Sequence, residues 1–241
     1  MISKIINDAQ NDEKVKVILI HGGKFFSSGN DLSVLTNMLG KTKEEIKAAS
    51  IDGIFNNMNP YLNALDNSVK PVVAVVRGMC LGIQFTMLTL ADFIYCSPDA
   101  VFQTPFMKSF QSPEGTSTLN FPLQMGKRLA SEVLLLDRPL TAKEAVECGF
   151  ANSIIPELQN EPEWFDINKV PAIPKLLETD YRTLINCKRV LNFAKDKQKT
   201  QEVIKEEGIQ LSNAWIDEEF APKLASYMMS LMEKREGKAK L

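Results

Sequence analysis

The stretch VVAVVRGMCLGI, residues 72–83, joins five small or β-branched apolar residues directly to a loop that contains two glycines. An apolar run of this kind, bounded by Pro71, is typical of a strand buried on both faces of a parallel sheet. The glycines allow the chain to turn tightly before the amphipathic segment at 81–90. The stretch therefore predicts a strand, a loop and a helix in succession.

The segment VKVILIHGGKFFSSGND, residues 15–31, has the same layout nearer the N-terminus. Its apolar part ends at His21, and the loop that follows carries small residues and Asp31, which is placed to cap the next helix. Residues 92–96 and 151–155 are further short apolar runs. Strands therefore alternate with helices, which indicates an α/β protein with parallel strands and right-handed crossovers.

The C-terminal third is different, because no strand-like run interrupts its helical pattern. A polar stretch with three prolines, 156–174, precedes it and is the candidate hinge. We therefore divide the chain into a core, residues 1–156, and a C-terminal helical region, residues 157–241. Hydrophobic periodicity predicts helices over 2–10, 43–67, 81–90, 127–136, 142–148, 175–195, 200–214 and 217–234.

Composition excludes several classes of function. The 28 basic and 30 acidic residues leave a net charge of −2, which gives no general attraction for nucleic acid. No apolar run reaches the roughly 18 residues of a membrane span, so no membrane insertion is expected. The four cysteines form no C-x-x-C pair, and neither glycine loop matches a dinucleotide or P-loop fingerprint. We expect no metal site and no redox cofactor, in a reducing intracellular compartment.

Taken singly, the polar motifs have structural explanations. Each glycine loop is compatible with an ordinary strand-to-helix turn, and Ser112-Pro113-Glu114-Gly115 with a turn whose glutamate complements a helix dipole. The sole histidine, His21, ends a buried strand, where a structural role is more common than a place in a catalytic triad.

The ordered set FSSGND (26–31), GMCLGI (78–83) and SPEG (112–115) resembles the enoyl-CoA hydratase/isomerase (crotonase) superfamily, and most of all its Δ3,Δ2-enoyl-CoA isomerases of peroxisomes and mitochondria. The resemblance covers about residues 1–155. It implies the crotonase (ClpP-like) spiral of ββα units, with a C-terminal helical region that forms trimers or hexamers. It also implies an acyl-CoA substrate and no cofactor, since CoA is part of the substrate.

The same resemblance assigns roles to residues. The backbone N–H groups of Asn30 and Ile83 would form an oxyanion hole for a thioester enolate. Glu114 would take a proton from C2 of a 3-enoyl thioester and return it to C4, acting as base and then as acid. The positions that carry the glutamates of hydratases fall on Thr86 and Phe106, which cannot exchange a proton usefully. An isomerase in the β-oxidation of unsaturated fatty acids is therefore predicted.

Lys24, followed by Arg77, is the candidate cation for the CoA phosphates. Apolar neighbours of Glu114 (Phe106, Phe110, Pro113 and Phe121) are expected to raise its pKa by burial. Five apolar residues could line an acyl tunnel but are more typical of core at this spacing: Met79, Phe85, Met87, Leu88 and Phe106. The other predicted substrate-binding residues are Phe26, Ser28, Gly29, Asp31, Leu32, Gly82 and Phe106.

Alternatives stay open at the two ends of the chain. Ala239-Lys240-Leu241 resembles the peroxisomal address, which predicts a peroxisomal import receptor as partner, with the mitochondrion as the other location.

Family members carry several dozen residues before the first helix, including part of the CoA-binding site, and this sequence begins in what resembles that helix. A non-catalytic CoA- or protein-binding module, as in the chromodomain-linked relatives, is therefore the second reading, and a hydratase or dienoyl-CoA isomerase the third.

Overall fold

The computed structural model describes residues 2–30, 40–159 and 166–239, except for the side chains of residues 159, 232 and 234–239. The strands are β1 (Ile18–His21), β2 (Val72–Val76), β3 (Met79–Leu81), β4 (Phe93–Cys96), β5 (Val101–Gln103), β6 (Leu140–Thr141) and β7 (Ser153–Ile154). The α-helices are α1 (Ile2–Asn11), α2 (Lys43–Ser50), α3 (Asn59–Asp66), α4 (Ile83–Thr86), α5 (Ser117–Met125), α6 (Lys127–Leu136), α7 (Ala142–Glu147), α8 (Ala172–Glu178), α9 (Tyr181–Phe193), α10 (Lys197–Ile216) and α11 (Phe220–Ala239). Shorter helical turns cover Met87–Leu90, Pro156–Gln159 and Ile167–Lys169.

The larger sheet of the described chain has the strand order β1-β2-β4-β7, and every neighbouring pair is parallel. All five residues of β2 are buried, as a central strand covered on both faces requires. These strands are the four that the apolar runs predict, so the prediction of a parallel α/β sheet is confirmed.

The second sheet of the described residues has the order β3-β5-β6, with β3 parallel to β5 and β5 antiparallel to β6. None of these strands is predicted from the sequence, and the interpretation of residues 79–81 as loop is wrong. Each strand is only two or three residues long, too short for a periodic pattern. Their hydrogen-bond partners lie more than twenty residues away along the chain, so the pairing depends on the folded topology.

Alternate residues of β2 enter different cores. Val72, Ala74 and Val76 belong to the main core, and Val73 and Val75 pack in a second cluster on the other face. That second cluster is completed by residues from the proline-containing stretch, among them Leu158, Val170 and Ile173. The described part of this stretch therefore covers one face of the sheet.

The predicted helix over 43–67 is confirmed as a continuous helical segment, but it is not uniform. Thr42 and Glu45 form a capping box at its start, and Ile51–Met58 is a π-helix between α2 and α3. The wider π turn is rare and is frequently found at functional sites. This segment forms a wall of the cavity described below.

The helical C-terminal third is also confirmed, since the described residues from 166 onward contain helices and no strand. One helix, α5, is missing from the predictions because Pro122 lies inside it and Thr116 precedes it in a left-handed conformation, with φ 66°. None of the helices in the described ranges is long and apolar enough to cross a membrane.

Candidate active site

Two strand-end loops meet at one edge of the sheets. The Ser27 N–H donates to the Met79 carbonyl at 2.9 Å, and the Leu81 N–H donates to the Ser27 carbonyl at 3.1 Å. Gly29 and Gly82 both have positive φ values, 86° and 59°, and a Cβ atom placed on Gly82 would lie 3.9 Å from Gly29 Cα. Glycine therefore permits both the left-handed turns and the close approach of the two backbones.

Asn30 and Ile83, the residues that follow these glycines, both line the cavity and the cleft described next. Ile83 is the first residue of α4, so its N–H belongs to the first turn, where a helix provides no acceptor of its own. Such an N–H group is available to an anion.

A cavity of about 330 Å³ lies next to these two residues. Its volume is at the lower end of the range of small-molecule sites. A smaller cleft of about 50 Å³ shares three of its lining residues, Asn30, Ile83 and Glu114. The larger cavity is otherwise mostly apolar and is lined by Ile2, Gly53, Ile54, Asn57, Met58, Tyr61, Gln84, Leu211 and Trp215.

Glu114 stands where the cavity and the cleft meet. It is 3% exposed, and its Oε2 atom finds no hydrogen-bond partner within the described residues. Burial, and to a smaller extent the negative charge of Glu207, raise the pKa of Glu114 to about 8. A carboxyl group with this pKa can accept and return a proton near neutral pH.

The turn after Glu114 is held in a conformation that few residues adopt. Gly115 and Thr116 both have positive φ, 70° and 66°. A Cβ atom on Gly115 would lie only 2.1 Å from the Thr86 Oγ1 atom, so this turn packs directly on α4. The Ser117 hydroxyl donates to the Glu114 carbonyl at 2.7 Å.

Glu207, on α10, fixes this turn from the C-terminal region. Its Oε2 accepts from the Thr116 N–H at 2.7 Å, and its Oε1 accepts from the Thr118 N–H at 2.9 Å and the Thr118 hydroxyl at 2.6 Å. Burial raises the pKa of Glu207, and these donors act against that rise. The carboxylate that accepts hydrogen bonds from the first N–H groups of α5 is thus that of Glu207. The structural explanation of the SPEG motif required the Glu114 carboxylate in this place.

Most of the predicted site residues come together. Ser28, Gly29, Gly82 and Phe106 line the narrow cleft with Asn30, Ile83 and Glu114. Thr86, at one hydratase position, is buried against the Glu114 turn. Asp31 and Leu32 lie outside the described residues, so the predicted helix cap at Asp31 does as well.

Other predicted residues lie apart from the cavity and the cleft. Lys24 is exposed and lines neither of them. Phe26 packs in the main core, and Arg77 is 4% exposed and has interactions within the fold. The interpretation of Phe85, Met87 and Leu88 as core is confirmed, whereas Met79 is half exposed.

The predicted apolar surroundings of Glu114 are partly wrong. Phe110 is 41% exposed, and Phe121 belongs to an aromatic cluster in the core, with its ring centroid 4.8 Å from that of Phe85. Pro113 lines a different cavity, of about 360 Å³, beside Glu207. The apolar wall next to Glu114 comes instead from the π-helix, α3 and α10.

Sequence analysis missed this wall and missed Glu207. A signal for Glu207 exists, because it shares one face of α10 with the buried residues Ile204, Leu211 and Trp215. An acidic residue on the apolar stripe of a helix indicates a buried carboxylate with specific partners. Within the described ranges, no group of three His, Cys, Asp or Glu residues is arranged to hold a metal ion.

Comparison with known proteins identifies relatives. The sequence matches the enoyl-CoA hydratase/isomerase family over residues 2–235. It is 32% identical to rat enoyl-CoA delta isomerase 2 over 92% of this chain and 54% of the relative, and 31% identical to mouse peroxisomal enoyl-CoA delta isomerase 3 over 100% of this chain and 71% of the relative. The chain thus spans about half the length of the rat protein.

Solved structures agree on the fold. An enoyl-CoA hydratase/isomerase from Mycobacterium paratuberculosis superimposes with a TM-score of 0.79 at 21% identity, over 93% of this chain and 85% of that chain. At this identity the likeness concerns the fold, which is that of the crotonases. Together with the family match over almost the whole sequence, it shows that the chain belongs to the enoyl-CoA hydratase/isomerase (crotonase) family.

Proposed function

We propose that this protein is a Δ3,Δ2-enoyl-CoA isomerase that uses Glu114 as its single acid/base. The observation that carries the proposal is the buried Glu114 carboxyl, with one oxygen unpartnered among the described residues, at the junction of the apolar cavity and the cleft. The names of the two relatives, both enoyl-CoA delta isomerases, support the same chemistry.

The reaction proceeds through an enolate. Glu114, as carboxylate, removes a proton from C2 of the 3-enoyl thioester, and the C–H electron pair delocalises onto the thioester oxygen. The N–H groups of Asn30 and Ile83 stabilise that negative charge as it develops. Glu114 then returns the proton to C4 of the dienolate, which leaves the double bond between C2 and C3.

The carboxylate distribution favours isomerisation over hydration. Addition of water needs a second carboxylate to hold the water, and Glu114 is the only acidic residue among the described residues that line the cavity and the cleft. Glu207 is the nearest candidate for a partner, but both of its oxygens already accept hydrogen bonds from Thr116 and Thr118.

Several finer points stay predictions. Lys24, exposed near the loops, is the candidate contact for the CoA phosphates. The resemblance supports three further proposals. These are trimer or hexamer formation through the C-terminal helical region, the boundary of that region between residues 156 and 157, and a role in the β-oxidation of unsaturated fatty acids. Peroxisomal import is proposed on the terminal tripeptide, whose Lys240 and Leu241 lie outside the described residues, and on the name of the mouse relative.

The test is conversion of 3-hexenoyl-CoA to 2-hexenoyl-CoA, followed by the absorbance of the conjugated thioester. Glu114→Gln keeps the shape of the side chain but removes the acid/base, so kcat should fall about 10²- to 10⁴-fold. Glu202→Gln, the same change at an exposed position of α10, is the matched control and should keep wild-type kcat.

Three results would contradict the proposal. Equal kcat in wild type and Glu114→Gln would remove Glu114 from the mechanism. A wild-type protein that binds CoA but converts no 3-enoyl thioester would favour the binding module. Formation of 3-hydroxyacyl-CoA from 2-hexenoyl-CoA would favour a hydratase instead.

A further inference from the structure

We propose that Glu207 is a positioning residue for the acid/base: it holds the turn 114–118 so that the Glu114 carboxyl faces the substrate. This inference rests on the proposed function, since it concerns the same site. Glu207 does not line the cavity or the cleft that Glu114 shares with Asn30 and Ile83, so its effect passes through the backbone of the turn.

The turn needs an external support. Thr116 adopts the left-handed conformation, which is costly for a β-branched residue and persists only when its surroundings hold it. Its own N–H and the N–H of Thr118 are at the start of α5, where the helix offers no acceptor. Glu207 accepts from both, at 2.7 and 2.9 Å, and thereby fixes the two residues that follow Gly115.

The chemistry of the contact calls for a carboxylate. Three donors converge on two oxygens, and an ionised carboxyl group is purely an acceptor. A glutamine side chain would retain one acceptor oxygen and would turn an NH₂ group toward the Thr116 N–H, so two donors would face each other. The three hydrogen bonds to Glu207 therefore distinguish glutamate from glutamine, although the two side chains have nearly the same shape.

Through its place on α10, Glu207 also connects the turn of the acid/base Glu114 to the wall of the apolar cavity. The same helix, α10, contributes Leu211 and Trp215 to the cavity wall, one and two turns farther on. Gly208, the next residue, packs against Ile54 of the π-helix, with 3.0 Å from a placed Cβ atom to Ile54 Cγ2. The single helix α10 thus lines the proposed acyl site and, through Glu207, positions the proton-transfer group Glu114.

A purely structural role for Glu207, as the cap of α5, makes a different prediction. Loss of a cap would lower the stability of the protein but would leave kcat of the folded molecules unchanged. Loss of a positioning residue lowers kcat while KM for the thioester stays close to the wild-type value, because displacement of a catalytic group by about 1 Å can cost about 10²-fold in rate.

The experiment compares Glu207→Gln with Ser212→Ala. Ser212 lies on the same helix, is buried, and makes a hydrogen bond of 2.7 Å with Ser50 that is remote from the Glu114 turn. We expect Glu207→Gln to lose about 10²-fold in kcat with little change in KM. Ser212→Ala should lose stability and keep kcat.

A second variant covers the case in which Glu207→Gln does not fold. Thr118→Val removes only the hydroxyl that donates to Glu207 Oε1 and keeps both backbone contacts, so a smaller fall, about tenfold in kcat, is expected. Wild-type kcat in the folded Gln variant, or in Thr118→Val when the Gln variant does not fold, would overturn the proposal.

A measurement without turnover separates this inference from the proposed function. Crystal structures of wild type, Glu207→Gln and Ser212→Ala compare the position of the Glu114 carboxyl relative to the N–H groups of Asn30 and Ile83. We expect a displacement of about 1 Å in Glu207→Gln and none in Ser212→Ala. A displacement in a protein without isomerase activity would sink only the proposed function, and an unchanged position of Glu114 in folded Glu207→Gln would sink the positioning role.

Discussion

The candidate site has two halves that are built in different ways. Its loop half, residues 27–30, 78–83 and 112–118, is fixed by backbone hydrogen bonds and by glycines with positive φ. Its helix half, the π-helix Ile51–Met58 and α10, is fixed by side-chain packing between segments far apart in the chain. The loop half carries the proposed chemistry, and the helix half forms the wall of the larger cavity.

The two halves of the site are expected to respond differently to amino-acid substitution. A side chain at a backbone position with positive φ costs about 1–3 kcal/mol unless its surroundings hold it, as they hold Thr116, so replacement of a glycine in the loop half should have a large effect. Packed helices can shift by a few tenths of an ångström, so changes in the helix half should give graded effects on stability and on the cavity. Glu207 joins the halves, because it lies on α10 and holds the turn of Glu114.

The largest effect is expected from Gly115→Ala in the loop half. The new Cβ atom would combine left-handed strain with a contact of 2.1 Å to Thr86 Oγ1, and strain and overpacking each cost about 1–3 kcal/mol. We expect a loss of about 4 kcal/mol in the free energy of unfolding and no detectable isomerisation. Urea denaturation and the 3-hexenoyl-CoA assay measure both.

Gly126→Ala is the matched control for that change. Gly126 also has a positive φ, 79°, but no atom lies within 4 Å of its placed Cβ position in the described structure. Only the backbone strain of about 1–3 kcal/mol, from its φ of 79° and ψ of 149°, should appear, with kcat unchanged. Equal losses in the two variants would mean that the close approach of the Glu114 turn to α4 contributes nothing.

The loop half was also the part that the sequence could predict. Paired glycines, Asn30, Ile83 and Glu114 lie in short motifs whose order along the chain is informative, and buried runs such as 72–76 identify the strands of the larger sheet. The helix half could not be predicted in the same way. Whether Ile54 and Trp215 line a cavity or fill a core depends on how α10 packs on the π-helix, which periodicity alone does not specify.

The next effect in size is a dependence of stability on pH that arises from Glu114. Its pKa is about 8 in the folded protein and about 4.5 in an unfolded chain, so between these values the folded state binds more protons. The free energy of unfolding therefore falls as pH rises, by about 1.4 kcal/mol per pH unit well below pH 8 and by less near pH 8, where Glu114 is half ionised. Between pH 6 and pH 8 the loss is about 2 kcal/mol.

Glu114→Gln isolates this contribution, since glutamine does not titrate. Relative to wild type, the variant should become more stable as pH rises from 6 to 8, and the gap should stop growing at higher pH. Urea denaturation of both proteins at several pH values measures the difference. Parallel pH profiles would mean that burial does not raise the pKa of Glu114, and would weaken its assignment as an acid/base that works near neutral pH.

The smallest effect is expected in the helix half, from Gly208→Val. A Cβ atom there would lie 3.0 Å from Ile54 Cγ2 and 3.3 Å from the Phe55 ring, so Ile54 must move toward the cavity of about 330 Å³. Overpacking of about 1–3 kcal/mol, offset in part by the poor helix propensity of glycine, should leave a net loss of about 1–2 kcal/mol in the free energy of unfolding.

Gly208→Val should also alter substrate preference, because a narrower cavity excludes long acyl chains first. KM for a long-chain 3-enoyl-CoA should rise more than KM for 3-hexenoyl-CoA, whereas kcat for the short substrate should change little. Gly53→Ala is a control for stability alone, because Gly53 itself lines the cavity. Its Cβ atom would meet the Trp215 ring at an ordinary 3.9 Å, so the π-helix should keep its stability. An equal rise of KM for both chain lengths would show that the helix half does not bind the acyl chain. The assignment of the chemistry to the loop half and of acyl binding to the helix half would then be wrong.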